Sequence, residues 1–406
     1  MTSGGSNPVG AANRIVTAAR TWTWGELEPL ALPAAAAVLV GDNLEAARAI
    51  SAHLGRGDGE LLIASRSRKT PELVEELRAS GLTVVDGDEV LPATAERPLS
   101  AGRIWLLTSG STGRPKRVAH TLDSLTTVGG QQPPRTWLCP YAHGAYAWWQ
   151  LVTLGLTQPE QHIVFVEPSE LDTWPARALD AGVTAASGTP TFWRQALYRD
   201  PESVAALPLE QVTLGGEPVD QAILTRLAEM FPGARVSWIY ASSEAGATIA
   251  VHDGRAGFPQ AWLDREAPGR ATLSVEDGEL VIDSPKRAEG IDARLRTGDR
   301  VEIVEDRVVI TGRIASDEIN VGGAKVSASS VRDALQAHPS VAWASVRGRK
   351  APIVGNIVTA DVVLEAPATD TELTRWCAER LPEYSVPRRI RFLDAIPIKE
   401  TLKSDV

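Results

Sequence analysis

Residues 108–116 read Thr108-Ser109-Gly110-Ser111-Thr112-Gly113-Arg114-Pro115-Lys116, and their chemistry is that of a loop that holds phosphate. Gly110 and Gly113 let the main chain approach an anion closely. The hydroxyls of Thr108, Ser109, Ser111 and Thr112 donate hydrogen bonds together with free backbone N–H groups, and Lys116 adds a positive charge. The run Arg103-Ile104-Trp105-Leu106-Leu107 ahead of it reads as a strand feeding the loop. It is not a Walker loop, in which the lysine directly follows the second glycine and a helix begins at once; here Arg114 and Pro115 intervene. On composition alone a Ser/Thr/Gly-rich surface turn fits equally well, so the rest of the chain has to decide.

Two later stretches carry chemistry suited to a nucleotide. The strand-like Arg235-Val236-Ser237-Trp238-Ile239 is followed by Tyr240-Ala241-Ser242-Ser243-Glu244. A tyrosine ring offers a flat face for adenine, and a glutamate offers a hard carboxylate for Mg²⁺ bound to phosphates. A lone Tyr is more often core and a lone Glu more often a solvated charge. Their place after a strand favours the site, since ligands in open α/β sheets bind beyond strand carboxyl ends. Arg296-Thr297-Gly298-Asp299 follows an irregular stretch and precedes the strand-like Val301-Glu302-Ile303-Val304. The carboxylate of Asp299 can accept hydrogen bonds from both hydroxyls of a ribose.

In this order, the stretches resemble the signatures of the adenylate-forming superfamily of acyl-CoA synthetases, adenylation domains and luciferases. Residues 108–116 resemble its phosphate loop, and Cys139-Pro140-Tyr141-Ala142-His143-Gly144 its next motif, in which His143 would line the acid pocket. Gly182-Val183-Thr184 through Thr189-Pro190-Thr191 resembles the strand and helix start at the pocket floor. Leu214-Gly215-Gly216-Glu217-Pro218 resembles the adenine-contacting turn, and Tyr240 to Glu244 the Tyr-Gly-x-Thr-Glu motif, with Ala241 for Gly and Ser243 for Thr. The resemblance assigns Asp299 to the ribose and Glu244 to Mg²⁺.

Gly312-Arg313-Ile314-Ala315-Ser316-Asp317-Glu318-Ile319-Asn320-Val321-Gly322-Gly323-Ala324-Lys325 resembles the family's hinge motif. Arg313 would reach the ribose or phosphate, and the pivot of a rotating C-terminal domain falls on Ala315 or Ser316, because the segment is one residue longer than the common pattern. The pivot is usually Asp or Lys; here neither candidate is charged, so an ion pair at that point is lost. Gly322 and Gly323 match the glycine turn that lets a pantetheine arm approach. Leu381-Pro382-Glu383-Tyr384-Ser385-Val386-Pro387 and Ile396-Pro397 resemble the last motifs, and Lys403 stands where the catalytic lysine belongs, with Leu402 in place of the usual glycine and Lys399 as a competitor.

The chain has 406 residues, 43% hydrophobic, and a net charge of -10. That is enough chain for two or three cored domains, and the charge argues against nucleic-acid or anionic-membrane partners. Cys139 and Cys377 are the only cysteines, too few for a disulfide framework. No apolar run is long enough for a bilayer and the N-terminus lacks a signal-peptide core, so the cytoplasm is expected. The first dozen residues read as mobile. Ala36-Ala37-Val38-Leu39-Val40 and Glu60-Leu61-Leu62-Ile63-Ala64 read as buried strands with helices after each, implying a parallel sheet. Leu280-Val281-Ile282 and Ile357 to Val363 read as further strands. Pro218 is read as opening a helix through Val219, Ile223, Leu227 and Met230, and Ser330 to Leu335 as helical. The aromatics Trp148, Trp149, Phe192 and Trp193 suit either the acid pocket or the core.

The expected fold is α/β: an N-terminal AMP-binding domain (1–312) of parallel β/α subdomains plus a β-rich subdomain, with a shortened N-terminal region. A hinge (313–316) and a small mobile α+β C-terminal lid domain (317–406) follow. The resemblance implies ATP-dependent activation of a small carboxylic acid to an acyl adenylate with release of pyrophosphate, then thioester formation. Lys116 would serve the phosphates, Glu244 the Mg²⁺, and Lys403 the acid and α-phosphate. CoA is the expected acceptor, with an acyl carrier protein pantetheine or an amine as alternatives, and a nucleotide-binding pseudoenzyme as an alternative of another class. No Asp lies in Pro140 to Gly144, which favours an acid without an amine.

Overall fold

The computed structural model describes residues 8–108, 116–171, 173–314, 317–351 and 355–398. The first sheet is built on Ala35–Val40, whose six residues are all buried. It pairs in parallel with Glu60–Ser65 on one side and Thr83–Asp86 on the other, and Glu60–Ser65 pairs in parallel with Arg103–Thr108. Antiparallel strands Glu89–Leu91 and Lys116–Thr121 close the edges. A strand with no polar face has to be covered on both sides. Helix Pro71–Ala79 covers one through Leu73 and Leu77, packed with Ala35, Ala37 and Leu39. Helix Asn43–Arg56 covers the other with Ala46 and Ile50 against Ala36, Val38 and Val40. Asp42 caps that helix by accepting from Glu45 N, and Thr70 caps the other with Pro71 in its first turn.

The second sheet has eight strands. Arg235–Ser242, Gln211–Gly215, Ala185–Gly188, Arg135–Cys139, Gln161–Phe165 and Arg14–Val16 run parallel in that order, flanked by antiparallel Gly246–Val251 and Thr21–Thr23. Trp148, Trp149, Phe192 and Trp193 are fully buried in the cores around these sheets, so their place is packing. A third, antiparallel sheet contains Phe258–Pro259, Arg307–Arg313, Arg294–Val304, Glu279–Asp283 and Thr272–Glu276. The C-terminal part has its own core around Val331, Leu335, Val362 and Leu373. It comprises the hairpin Glu318–Val321 and Ala324–Ser327, helix Ala328–Gln336, the long pair Val341–Ala351 and Gly355–Leu364, helix Asp370–Ala378, and Arg389–Phe392. The α/β class with a small α+β C-terminal domain is therefore as expected.

Several local readings need correction. Pro218 does not open a helix; the helix is Gln221–Met230, because the Asp220 carboxylate accepts from Ile223 N and fixes the cap there. Arg296 to Asp299 does not precede a strand but lies within Arg294–Val304, where the register shifts between Arg300 and Val301. Residues 8–12 are not loose: Gly10 N donates to Leu156 O (2.9 Å) and Ala11 N to Pro8 O (2.8 Å).

Candidate active site

Four of the sequence stretches sit at the carboxyl ends of neighbouring parallel strands. Cys139, Gly188 and Gly215 end their strands, and the segments from Pro140, Thr189 and Gly216 follow directly; Ser242 ends the next, before Ser243 and Glu244. One edge of one sheet thus gathers residues spread over about a hundred positions, the position at which open α/β sheets place ligands.

At this edge Tyr240, Asp299 and Arg313 converge. The Tyr240 hydroxyl donates to Asp299 Oδ2, and Arg313 Nε lies 3.0 Å from Asp299 Oδ1. Asp299 and Arg313 are direct partners across adjacent strands, so the sheet register itself sets this pair. Asp299 is buried and Arg313 is 63% exposed at its side chain, which leaves the cation open to an incoming anion. Burial pushes the Asp299 carboxyl above the usual range, and the Tyr240 hydrogen bond and Arg313 charge only partly offset it. Burial, with the Asp299 charge beside it, raises the Tyr240 phenol, so that hydroxyl stays a donor. A carboxylate has about four acceptor positions, so Asp299 retains capacity for further donors.

The turn at Gly216 has φ +83°, which a glycine adopts without strain. It leads to Glu217, whose Oε2 accepts from Thr191 N at 3.0 Å, joining the start of helix Pro190–Arg199, capped by Thr189, to the turn. Gly216 and Pro218 are exposed. The next turn is held by a residue that the sequence reading missed. His120 is fully buried; its Nε2 contacts Ser243 O at 2.7 Å and its Nδ1 contacts Ser124 Oγ at 2.9 Å. A carbonyl only accepts, so Nε2 carries the proton. Burial lowers the His120 pKa, keeping the ring neutral. The only signal in the sequence is a histidine on the buried side of Lys116–Thr121, which does not reveal a partner 123 residues away. Through it strand Lys116–Thr121 fixes Ser243. Glu244 presents its carboxylate with no hydrogen bond or ion pair among the described residues, while its carbonyl accepts from Ala288 N at 2.8 Å. Among the described residues no group of three or more His, Cys, Asp or Glu is arranged as a metal site. A lone free carboxylate fits Mg²⁺ carried in with phosphates and water.

Other candidates are placed differently. Thr108 and Lys116 are the last register pair of an antiparallel hairpin, and Lys116 is exposed; Ser109, Gly110, Ser111, Thr112 and Gly113 lie outside the described residues. So do Lys403, Lys399 and the pivot positions Ala315 and Ser316. His143 is buried with Nε2 3.3 Å from Glu167 Oε2, and its Nδ1 has no partner among the described residues. Glu167 Oε1 also accepts from Asn43 N and Nδ2. Burial works to raise the Glu167 carboxyl, and His143 and Asn43 outweigh it to hold it below the usual range. Beside it a Cβ on Gly144 would meet Ile63 O at 1.9 Å, so only glycine lets the two sheets approach here. His143 thus contacts Glu167, which in turn ties the second sheet to Asn43 of the helix on the first, and it makes no hydrogen bond or ion pair with Tyr240, Asp299 or Arg313 among the described residues. Gly322 (φ +58°) and Gly323 (φ +93°) form an exposed turn with nothing within 4 Å of an added Cβ. The other end of the C-terminal part is docked: Ile396 and Trp343 pack with Tyr198, and Ile398 with the core under the second sheet.

The AMP-binding enzyme family matches residues 11–290, and the AMP-binding enzyme C-terminal domain matches residues 331–403. The chain belongs to this family of adenylate-forming enzymes. It is 28% identical over 326 residues to the 2-succinylbenzoate–CoA ligase of Bacillus licheniformis, a match covering 72% of this chain and 66%, just under two thirds, of that enzyme. Its fold resembles that of the anthranilate CoA ligase AuaEII in complex with anthranoyl-AMP, with TM-score 0.74 and 18% identity over 97% of this chain and 92% of that one. It also resembles the amide bond synthetase McbA from Marinactinospora thermotolerans, with TM-score 0.70 and 21% identity over 96% and 95%.

Proposed function

We propose that the protein uses ATP to convert a small carboxylic acid into an acyl adenylate and then transfers the acyl group to the thiol of CoA. The observation that carries this reading is the Tyr240, Asp299 and Arg313 cluster at the carboxyl edge of the second sheet. It offers a ring face for the adenine, an acceptor for the ribose hydroxyls and an exposed cation for the phosphate. The acid's oxygen attacks the α-phosphorus, a new P–O bond forms, and the bond to the β-phosphate oxygen breaks to release pyrophosphate. The thiol, losing its proton, then attacks the acyl carbonyl and AMP leaves with the bonding pair. Negative oxygens crowd in the first step, so fixed positive charge lowers its barrier. Lys116 and residues 108–113 serve the outgoing phosphates, Arg313 the ribose or α-phosphate, and Lys403 the acid and α-phosphate. Gly216, Glu217 and Pro218 border the adenine, and Ser243 holds the turn that presents Glu244. Glu244 would hold Mg²⁺, which when bound would offset charge on the phosphates. His143 belongs to the wall between the acid pocket and the first sheet.

Residues 1–312 and 317–406 act as two bodies about a hinge at 313–316, with Gly322 and Gly323 lining the thiol's approach after rotation. The naming of the Bacillus licheniformis relative as a CoA ligase supports CoA as acceptor. Cys139 and Cys377 are both buried free thiols, which suits a reducing compartment such as the cytoplasm. No helix among the described residues is long and apolar enough to cross a membrane. The test is pyrophosphate release over a panel of acids, with and without CoA, followed by mass spectrometry. Acyl-CoA formed from at least one acid supports the reading. Release without thioester but with amide on adding amines moves the acceptor to an amine, and no release from any acid favours a nucleotide-binding pseudoenzyme.

A further inference from the structure

Helix Pro190–Arg199 starts at the candidate acid pocket and runs to the C-terminal part. Arg194 and Tyr198 are four residues apart and so share a face. Arg194 Nη1 donates to Ala342 O at 3.3 Å, and Tyr198 packs beside Ala342, Trp343, Val363 and Ile396. Arg194 is 5% exposed among Phe192, Trp193 and Ala196, where an unpaired guanidinium would be costly. Its partner is Asp220: Nη2 lies 2.8 and 2.7 Å from the two carboxylate oxygens. Asp220 also caps helix Gln221–Met230 and lies 3.5 Å from Nε2 of Gln336, on the C-terminal helix Ala328–Gln336. On that same helix Arg332 pairs with Asp333 at 2.9 Å.

Burial works to raise the Asp220 carboxyl, and the charges of Arg194 and Arg332 outweigh it. Burial raises Asp333, which also feels Asp220 and Arg194 across the boundary. Each side is nonetheless neutral by itself, Arg194 with Asp220 on one and Arg332 with Asp333 on the other. Parting the two surfaces therefore leaves no buried charge without its partner, the situation that makes broken ion pairs expensive. Such a joint can close firmly and still open. Glu217 stands three residues before Asp220 and Thr191 three before Arg194, so the hydrogen bond between Glu217 and Thr191 ties the joint to the candidate adenine turn.

Resting on the adenylate-forming reading above, we infer that Arg194 and Asp220 are positioning residues that hold the C-terminal domain docked for adenylate formation. They do the work that the uncharged Ala315 and Ser316 cannot do at the pivot. Arg194→Ala would orphan buried Asp220 and confound the result with misfolding, so the test uses Gln336→Glu. It sets a second carboxylate against Asp220 only when the surfaces are docked. Acid-dependent ATP–pyrophosphate exchange is expected to fall on the order of tenfold, a normal coupling for adjacent charges, while thioester formation from a synthetic acyl adenylate stays near wild type. Gln336→Met, of similar size and without charge, leaves the Arg194 and Asp220 pair intact and is expected to keep exchange near wild type, so that the loss follows the added charge. Energy transfer between dyes on Glu202→Cys and Glu379→Cys, exposed positions in a chain whose own thiols are buried, reads docking without any chemistry. Lower transfer in Gln336→Glu, with Gln336→Met at the wild-type value, supports the joint even if no acid in the panel reacts. Unchanged transfer overturns it, as does equal loss of both half-reactions in an otherwise active enzyme.

Discussion

Asp299 is the residue at which structure and titration bear most directly on ligand binding. Its carboxyl is raised chiefly by burial, and the Tyr240 hydroxyl is one of the groups that lower it. In the proposed role of ribose acceptor, Asp299 is neutralised on acidification at a higher pH than an ordinary carboxylate, and ATP affinity is expected to fall early. Tyr240→Phe removes a bond that favours the charged form, so the acid limb of ATP binding should move to still higher pH. Calorimetric titration of ATP across pH in both proteins checks the sign; a shift to lower pH would contradict it. For stability, a raised folded-state carboxyl pKa means that the charge opposes folding at neutral pH, and this cost is relieved as pH falls through the raised value. Asp299→Asn should thus keep or raise the apo melting temperature. Asp299→Ala, which removes the acceptor, should weaken ATP binding by ~1.5–3 kcal/mol, the range for hydrogen bonds to charged groups. Unchanged affinity in folded Asp299→Ala would remove the ribose assignment.

At the scale of elements, Glu60 shows how the first sheet is locked. Its side chain is fully buried and its carboxylate accepts from Arg97, Trp105 Nε1 and Ser100 N, with Trp105 Nε1 at 2.7 Å and Ser100 N at 2.7 Å. These bonds tie the segment before Arg103–Thr108, and that strand itself, to Glu60–Ser65. Burial works to raise the Glu60 carboxyl and these donors outweigh it, bringing it down to about 2. Glu60→Ala leaves Arg97 and Trp105 without their acceptor and should cost about 3 kcal/mol, read as a lower urea midpoint. In the wild type this contribution is present above the unfolded carboxyl pKa and is lost as pH falls toward 2. Buried strands such as Ala35–Val40 were legible because an unbroken apolar run bounded by turn residues has few other fates. The start of helix Gln221–Met230 was not. Pro218 and Asp220 are both valid opening signals, and the choice was made by Asp220's bonds to Ile223 N and Arg194, the second of which depends on the packed fold. His120 with Ser243, His143 with Glu167 and Arg194 with Asp220 were hidden for the same reason.

For the whole molecule, parallel connectivity gathers the segments after Cys139, Gly188, Gly215 and Ser242 on one edge, whereas Asp299 and Arg313 arrive from the antiparallel third sheet, and their meeting with Tyr240 was foretold only by the family order of motifs. What order cannot give is the orientation of the C-terminal part, which rests on contacts such as Arg226 with Glu365 at 2.5 Å and Arg194 with Ala342. The Ile396 to Ile398 segment is docked and the Gly322 to Gly323 turn exposed, and the proposal that Lys403 and Gly323 serve successive half-reactions requires the C-terminal domain to rotate between them. Lys403→Ala should abolish adenylate formation and leave thioester formation from supplied adenylate largely intact. Gly323→Trp should do the reverse; its positive φ adds about 1–2 kcal/mol of strain, in an exposed turn that can take it. Equal loss of both half-reactions in both variants would contradict rotation, and a fully active Lys403→Ala would transfer the role to Lys399. The measurement that bears most directly on the account is acid-dependent exchange of labelled pyrophosphate into ATP without CoA, since label returns to ATP only if an acyl adenylate forms reversibly. The account predicts exchange with at least one carboxylic acid and its loss in Lys403→Ala; ATP binding with no exchange for any acid would contradict it.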